Sequence, residues 1–263
     1  MSKKIQNLTN NDCLIGYSGF IGKELQDQKK FGYLFNSKNI SKIKNMTFNK
    51  VICCAAPGAK WLANLEPEKD KRKIYLLINY LKTIKAETFI LISTVDIFGK
   101  KRNINEDSKP NSHRNNYYGK HRLLLENFVK KKFKKNFLIA RISGIVGKFL
   151  KKNVLFDLKH SKNLSQINLK SVFQYYPIQN LWKDIKLVLK KKLKVIHLNS
   201  EPILTSEIIS LKFSKYTECK NFKSKKVLYD MKSKYSKNIK KRNHYFYSKA
   251  YILKIIKKYF NEK

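Results

Sequence analysis

The stretch Cys13-Leu14-Ile15-Gly16-Tyr17-Ser18-Gly19-Phe20-Ile21-Gly22-Lys23 decides the fold. Three apolar residues lead into three glycines spaced three apart, and helix-forming residues follow. That order reads as a strand, a tight turn and a helix start. Gly16 permits the turn, Gly19 lets the backbone approach a pyrophosphate, and Gly22 lets the helix pack on the strand. The helix N-terminus then offers unbonded amides and a positive dipole end to phosphate oxygens. Ser18, Phe20 and Ile21 lie within this loop and belong to the same cradle. A plain tight turn is the competing reading. The loop's position at the first strand–helix junction of an alternating chain favours the phosphate site.

Working outward, short apolar runs alternate with helical spacing. Gly32–Phe35, Val51–Ala55, Thr88–Ser93 and Phe137–Ile142 read as strands. Pro67 to Ile84 places Ile74, Leu77, Leu81 and Ile84 on one helical face, and Asn116 to Val129 does the same with Leu124, Leu125 and Phe128. Near-continuous apolar strands between helices predict an α/β fold, a doubly wound parallel sheet of Rossmann type covered on both faces. The second half is less regular. Ser171–Tyr176 looks extended, Leu181–Leu189 and Thr205–Leu211 helical, Lys194–Leu198 a strand, and Tyr247–Phe260 a final amphipathic helix. The expected division is a dinucleotide-binding domain over 1–145, with 172–198 packing back onto it. A small C-terminal substrate lobe is built from 146–171 and 199–263.

The 263 residues are 42% hydrophobic and 13% aromatic, enough for a sizeable core and against wholesale disorder. The net charge of +40 has two readings. One is a polyanion partner. The other, preferred here, is compositional bias. Only six of the 58 basic residues are Arg, the residue suited to bidentate phosphate and base contacts, and the Lys are spread along the chain. No specific nucleic-acid partner is therefore expected, only salt-sensitive attraction to anions. Of the four cysteines, Cys13, Cys53 and Cys54 fall in expected core strands and Cys219 stands alone. With no CxxC pair, no metal site is expected. His160, His197 and His244 are isolated and point the same way. The polar N-terminus, and the lack of an 18-residue apolar run, predict a reducing, cytoplasmic protein with no membrane span.

Cofactor choice is read after the second strand, at Phe35-Asn36-Ser37-Lys38-Asn39. No carboxylate is present to bond a ribose 2′-hydroxyl. Ser37 and Lys38 instead suit a 2′-phosphate, which leans from NAD toward NADP. Lys38 reads equally well as a bystander.

Four segments resemble the extended short-chain dehydrogenases/reductases, the NAD-dependent epimerase/dehydratase family. They are Gly16–Gly22, Cys53-Cys54-Ala55-Ala56-Pro57, Ile92-Ser93-Thr94-Val95-Asp96-Ile97-Phe98-Gly99, and Tyr118-Gly119-Lys120-His121-Arg122. The resemblance spans about residues 10 to 145 and continues weakly through Phe173–Tyr176 and Asn199–Pro202. It implies NAD(P)-dependent oxidoreductase, epimerase or dehydratase chemistry on a nucleotide-linked sugar, in surface polysaccharide biosynthesis, by a homodimer. Ala55 and Ala56 would line the cofactor, Thr94 would orient the reacting oxygen, and Tyr118 would be the acid/base. The family places Lys four residues after Tyr, where this chain has Arg122. A cation there can still lower the Tyr118 pKa or reach the ribose hydroxyls, but its planar fork is not an ammonium. A dinucleotide-binding module with a sensing or scaffolding role is the alternative. Trp61, just beyond the Cys53–Pro57 strand end, is at the rim where ligands of such folds lie and could stack on substrate or cofactor. The resemblance puts Asp96 and Arg141 near the substrate, with His113 and Arg114 in the loop before Tyr118. Against those roles, Trp61 reads equally as core and Asp96 as a turn residue.

Overall fold

The computed structural model of the chain describes residues 10–99, 102–110, 116–212 and 225–262. In chain order, its first half holds β1 (Cys13–Ile15), α1 (Phe20–Gln28), β2 (Tyr33–Phe35), β3 (Thr47–Cys53), α2 (Lys60–Leu65), α3 (Pro67–Thr83), β4 (Lys85–Thr94), β5 (Arg102–Ile104), α4 (Tyr117–Phe133) and β6 (Phe137–Ile142). Then come β7 (Gly144–Val146), α5 (Val154–Lys159), β8 (Val172–Phe173), β9 (Tyr175–Pro177), α6 (Leu181–Lys190), β10 (Val195–Leu198), β11 (Ile203–Leu204), α7 (Thr205–Ile209), β12 (Asp230–Met231), α8 (Ser236–Lys240) and α9 (Lys249–Asn261).

Six strands pair in the order β10-β6-β4-β3-β1-β2, every neighbour parallel. Side chains alternate across such a sheet, and both faces are buried. Cys13, Ile15, Val51, Cys53, Phe89 and Leu91 face one side, with Ile74, Leu81 and Val129 of α3 and α4 packed over them. Leu14, Ile52 and Ile90 face the other, under Leu25 of α1 and Leu181, Ile185 and Val188 of α6. This double burial is why the strands are apolar without alternation. From β1 the chain goes to β2 at one edge and then crosses to β3 on the other side. The winding therefore reverses at β1, and the carboxyl ends of β1 and β3 flank this switch point, the place where ligands of such sheets bind.

A separate cluster gathers Val146, Leu150, Leu155, Ile167, Ile203 and Ile208 with Ile252, Ile256 and Phe260 of α9. The apolar stripe of α9 is thus buried against its own molecule, which accounts for its amphipathic pattern. Among the described residues no helix is long and apolar enough to cross a membrane.

Three differences from the sequence reading have local causes. β3 and β4 begin earlier than their apolar runs, because their entries carry exposed Thr47, Lys85 and Glu87 at the amino edge. α2 buries only Ala63 and so leaves no periodic signal. Cys54 lies just beyond β3, half-buried, its thiol donating to the Ile15 carbonyl at 3.3 Å. His113, Arg114 and Cys219 lie outside the described residues.

Candidate active site

The glycine loop sits at the carboxyl end of β1. Gly16 has φ +94°, and its amide donates to the Phe35 carbonyl at 2.7 Å, tying the turn to β2. A Cβ on Gly16 would lie 2.8 Å from the Ala55 amide nitrogen. On Gly22 it would lie 2.2 Å from the Gly16 carbonyl oxygen and 2.6 Å from Tyr17 Cα. Both positions are closed to any side chain. Gly19 differs: its Cβ would meet only the Gly16 oxygen, at 3.3 Å, with open space beyond. Gly19 is the N-cap of α1, no side chain caps that end, and no acidic residue stands in the first turn. The helix thus leaves its first amides without a side-chain acceptor, beside a surface with room for one. Those residues fit a dinucleotide pyrophosphate. Ser18 is bridged to the second strand by Asn36 Nδ2, 3.4 Å from its hydroxyl oxygen. Ser37 and Lys38 are exposed in the turn after β2, shaped by Asn36 Oδ1 accepting the Lys38 amide at 2.9 Å. Ala55 and Ala56 follow β3, half-buried against the core, with the Ala55 backbone close to Gly16.

The acid/base candidates lie at the carboxyl end of β4. Thr94 ends that strand and accepts the Asp96 amide at 3.1 Å, which fixes the turn. Tyr118 stands in the first turn of α4. Asn116 caps that helix by accepting the Gly119 amide at 2.9 Å, and Asn64 of α2 accepts the Tyr118 amide at 3.1 Å. Burial pushes the Tyr118 hydroxyl above the ordinary phenol value, outweighing the Arg122 cation and the Thr94 hydroxyl, which pull it down. Tyr118 is therefore a neutral phenol at physiological pH. The lowered pKa expected from an Arg in the lysine position is not the net result.

Arg122 explains why. It is 3% exposed and turned toward α3, where both terminal nitrogens bond the Asp70 carboxylate, one of them also reaching the Pro57 carbonyl. Its Nε is buried without a partner. The guanidinium lies 4.2 Å from the Tyr118 ring centroid, a cation–π contact with the ring rather than a bond to the hydroxyl. It offers no exposed donor to ribose. His121 Nδ1 lies 2.7 Å from the same carboxylate. Burial alone would raise the Asp70 carboxyl, but its bonds to Arg122 and His121 hold it below the ordinary carboxylate value. Its folded pKa is depressed, so its contribution to stability is present above the unfolded value of about 3.9 and is lost as pH falls through the folded one. Asp70→Ala leaves the Arg122 cation buried and unpaired, with an expected loss of about 3 kcal/mol in denaturant unfolding at pH 7 that shrinks in acid.

Arg141 and Trp61 part from their expected places. Arg141 is 2% exposed, inside the sheet, its Nη2 2.7 Å from Glu126 Oε2. Ser93 donates to the same carboxylate at 2.6 Å, and His197 lies on the other side, pushed by burial and the Arg141 cation down to about 3. Arg141 thus neutralises a buried Glu and does not border the cleft. Its position at a strand end gave no warning of Glu126, fifteen residues away on α4. Trp61 is 66% exposed, which removes the core reading.

Two residues the sequence did not single out join the site. Lys60 Nζ lies 2.7 Å from Asp96 Oδ1, and the Tyr229 hydroxyl donates to the same oxygen at 2.9 Å. Tyr229 comes from the C-terminal third of the chain, and no local pattern marks it.

A parallel doubly wound sheet, with a glycine turn at its switch point and Thr94 and Tyr118 two strands away, is an α/β fold of Rossmann type. Solved structures that share this architecture include UDP-glucose 4-epimerase from Thermotoga maritima, TM-score 0.70, 12% identical, covering 95% of this chain and 97% of that one. The dTDP-4-dehydrorhamnose reductase from Yersinia enterocolitica is similar over 95% and 98%, with TM-score 0.65 and 15% identity. MoeE5, solved with UDP-glucuronic acid and NAD, is similar over 89% and 93%, with TM-score 0.67 and 11% identity. The structural neighbours are thus sugar-nucleotide epimerases and reductases, and the chain has their fold. No protein-family model and no curated protein matches the sequence.

Proposed function

We propose that the protein is an NAD(P)-dependent oxidoreductase or epimerase/dehydratase acting on a nucleotide-linked sugar. The observation that carries this reading is the joint placement of a helix start without a side-chain cap after β1 and of Thr94 at the end of β4 with Tyr118 in the first turn of α4, on one carboxyl edge of one sheet. Gly16, Gly19 and Gly22 hold the pyrophosphate with the first amides of α1, and Ala55 and Ala56 form the opposite wall. When bound, the nicotinamide supplies or takes up the hydride. Thr94 orients the reacting oxygen. Tyr118, kept neutral by burial, donates a proton to that oxygen as a carbonyl is reduced, so the chain is best suited to the reductive direction. A sugar nucleotide changed in this way is an activated donor of the kind from which surface polysaccharides are assembled.

The engagement of Arg122 by Asp70 favours a second reading, a dinucleotide-binding module without turnover. Deuteride transfer separates the two. With deuterated NADH or NADPH and a mixture of UDP- and dTDP-linked 4-keto sugars, the enzyme delivers deuterium to a sugar carbon, read by mass spectrometry. Tight cofactor binding with no label in any sugar identifies the module.

Exposed Lys38 is the candidate partner of a 2′-phosphate. Lys38→Ala is expected to weaken NADPH about tenfold and leave NADH unchanged in fluorescence titration, one charge-assisted contact being worth ~1.5 kcal/mol.

A further inference from the structure

α2 is a six-residue helix with two polar residues on one face. Lys60 and Asn64 are four apart, so they lie one above the other. Asn64 accepts the Tyr118 amide at 3.1 Å, and Lys60 bonds Asp96 at 2.7 Å. One short element therefore grips both halves of the acid/base site, the start of α4 and the turn after β4. Tyr229, from the C-terminal third of the chain, closes the arrangement, its hydroxyl 3.4 Å from Lys60 Nζ and 2.9 Å from Asp96 Oδ1. Its ring stacks with Phe173 at 5.9 Å. An ammonium has three N–H donors. Asp96 and Tyr229 account for two of those on Lys60, whose side chain is still 37% exposed.

We propose that Lys60 and Asp96 form a sugar subsite that grips a vicinal diol of an uncharged hexose beside Tyr118. The ammonium donates its third N–H to one hydroxyl oxygen, and the carboxylate accepts from the neighbouring hydroxyl. A paired cation and anion suit this task, because adjacent hydroxyls present a donor and an acceptor together. The pair also discriminates. A sugar carboxylate brought to Lys60 would stand beside the carboxylate of Asp96, and like charges at that range repel. A neutral hexose is therefore preferred to a uronic acid. Tyr229, from the C-terminal third of the chain, holds the carboxylate from the other side. The inference rests on the sugar-nucleotide reading above.

The test is calorimetric titration of the full chain with UDP, dTDP, UDP-glucose, dTDP-glucose and UDP-glucuronic acid, with NADH run as a separate ligand. In the wild type, the better of the two glucosyl nucleotides is expected to bind about tenfold tighter than its free nucleotide, the worth of one charge-assisted bond. UDP-glucuronic acid is expected to bind more weakly than UDP-glucose. Lys60→Met erases the sugar's contribution while leaving the free nucleotide and NADH as in the wild type, and Lys60→Arg restores part of it. An undiminished glucose preference in Lys60→Met, or tighter binding of the uronic acid, overturns the subsite and leaves the cofactor reading intact. Failure of the wild type to bind NADH and every nucleotide overturns both.

Discussion

Gly19→Asp is expected to fold like the wild type and to lose its dinucleotide. A Cβ at Gly19 meets only the Gly16 carbonyl oxygen, at 3.3 Å, and Gly19 is in extended backbone, φ −77°, which any residue adopts. An Asp at this N-cap position even improves the helix start, since its carboxylate can accept a first-turn amide. That same carboxylate occupies the space and the positive potential on which the phosphate reading depends. Affinity for NADH and NADPH should fall about a thousandfold, ~4 kcal/mol, while the melting temperature holds or rises. Gly22→Ala is the mirror case. Its methyl would stand 2.2 Å from the Gly16 carbonyl oxygen, so the helix must move off the strand. The expected result there is a loss of about 3 kcal/mol in stability. Two glycines three residues apart thus separate binding from folding. Equal loss of stability in both variants would mean that the loop is a tight turn and nothing more.

Tyr118→Phe carries the second large effect. The substitution removes one oxygen from a ring whose face packs against the Arg122 guanidinium at 4.2 Å, so the packing survives. Turnover in the deuteride assay should fall about a thousandfold or more, the usual worth of a positioned general acid, with cofactor affinity unchanged. The direction of the pKa shift adds a signature. Burial holds the hydroxyl above its ordinary value, so the phenol keeps its proton through neutral pH and into the alkaline range. Sugar reduction, which consumes that proton, should be flat in pH until the raised pKa is passed and fall beyond it. Oxidation, which needs the phenolate, should climb over the same interval. A reductive rate already falling between pH 7 and 9 would mean a depressed pKa and a different role for Arg122.

The fold was legible because its decisive signal is short-range. Cys13–Ile15, Ile52–Cys53 and Phe89–Leu91 are apolar without alternation for the same reason that they sit mid-sheet, and the glycine spacing marks the switch point directly. The glycine turn was legible for the same reason, whereas Thr94 and Tyr118 were singled out by the resemblance to a known family and not by any local spacing. The surroundings of Tyr118 were not legible. Arg122 reads as a stand-in for Lys when only α4 is considered. Its true partner, Asp70, is 52 residues away on α3, in a helix whose other charges are solvated. Arg141 reads as a rim residue until Glu126 is seen beneath it. Lys60 is one of many lysines, and Tyr229 lies 133 residues from the Asp96 it bonds. In a chain with a net charge of +40, the sign of a side chain says little about its task; the burial of its few carboxylates says more. Asp70 and Glu126 are buried and engage Arg122 and Arg141, and Asp96 draws Lys60 to the site.

The direct test of the central claim is a titration of the full chain with NAD, NADH, NADP and NADPH at low salt and again at 0.5 M salt, the high-salt arm stripping away non-specific attraction to so basic a surface. One equivalent of dinucleotide bound at both ionic strengths, and lost in Gly19→Asp, is the predicted result. Binding that vanishes with salt, or that survives Gly19→Asp unchanged, would contradict it.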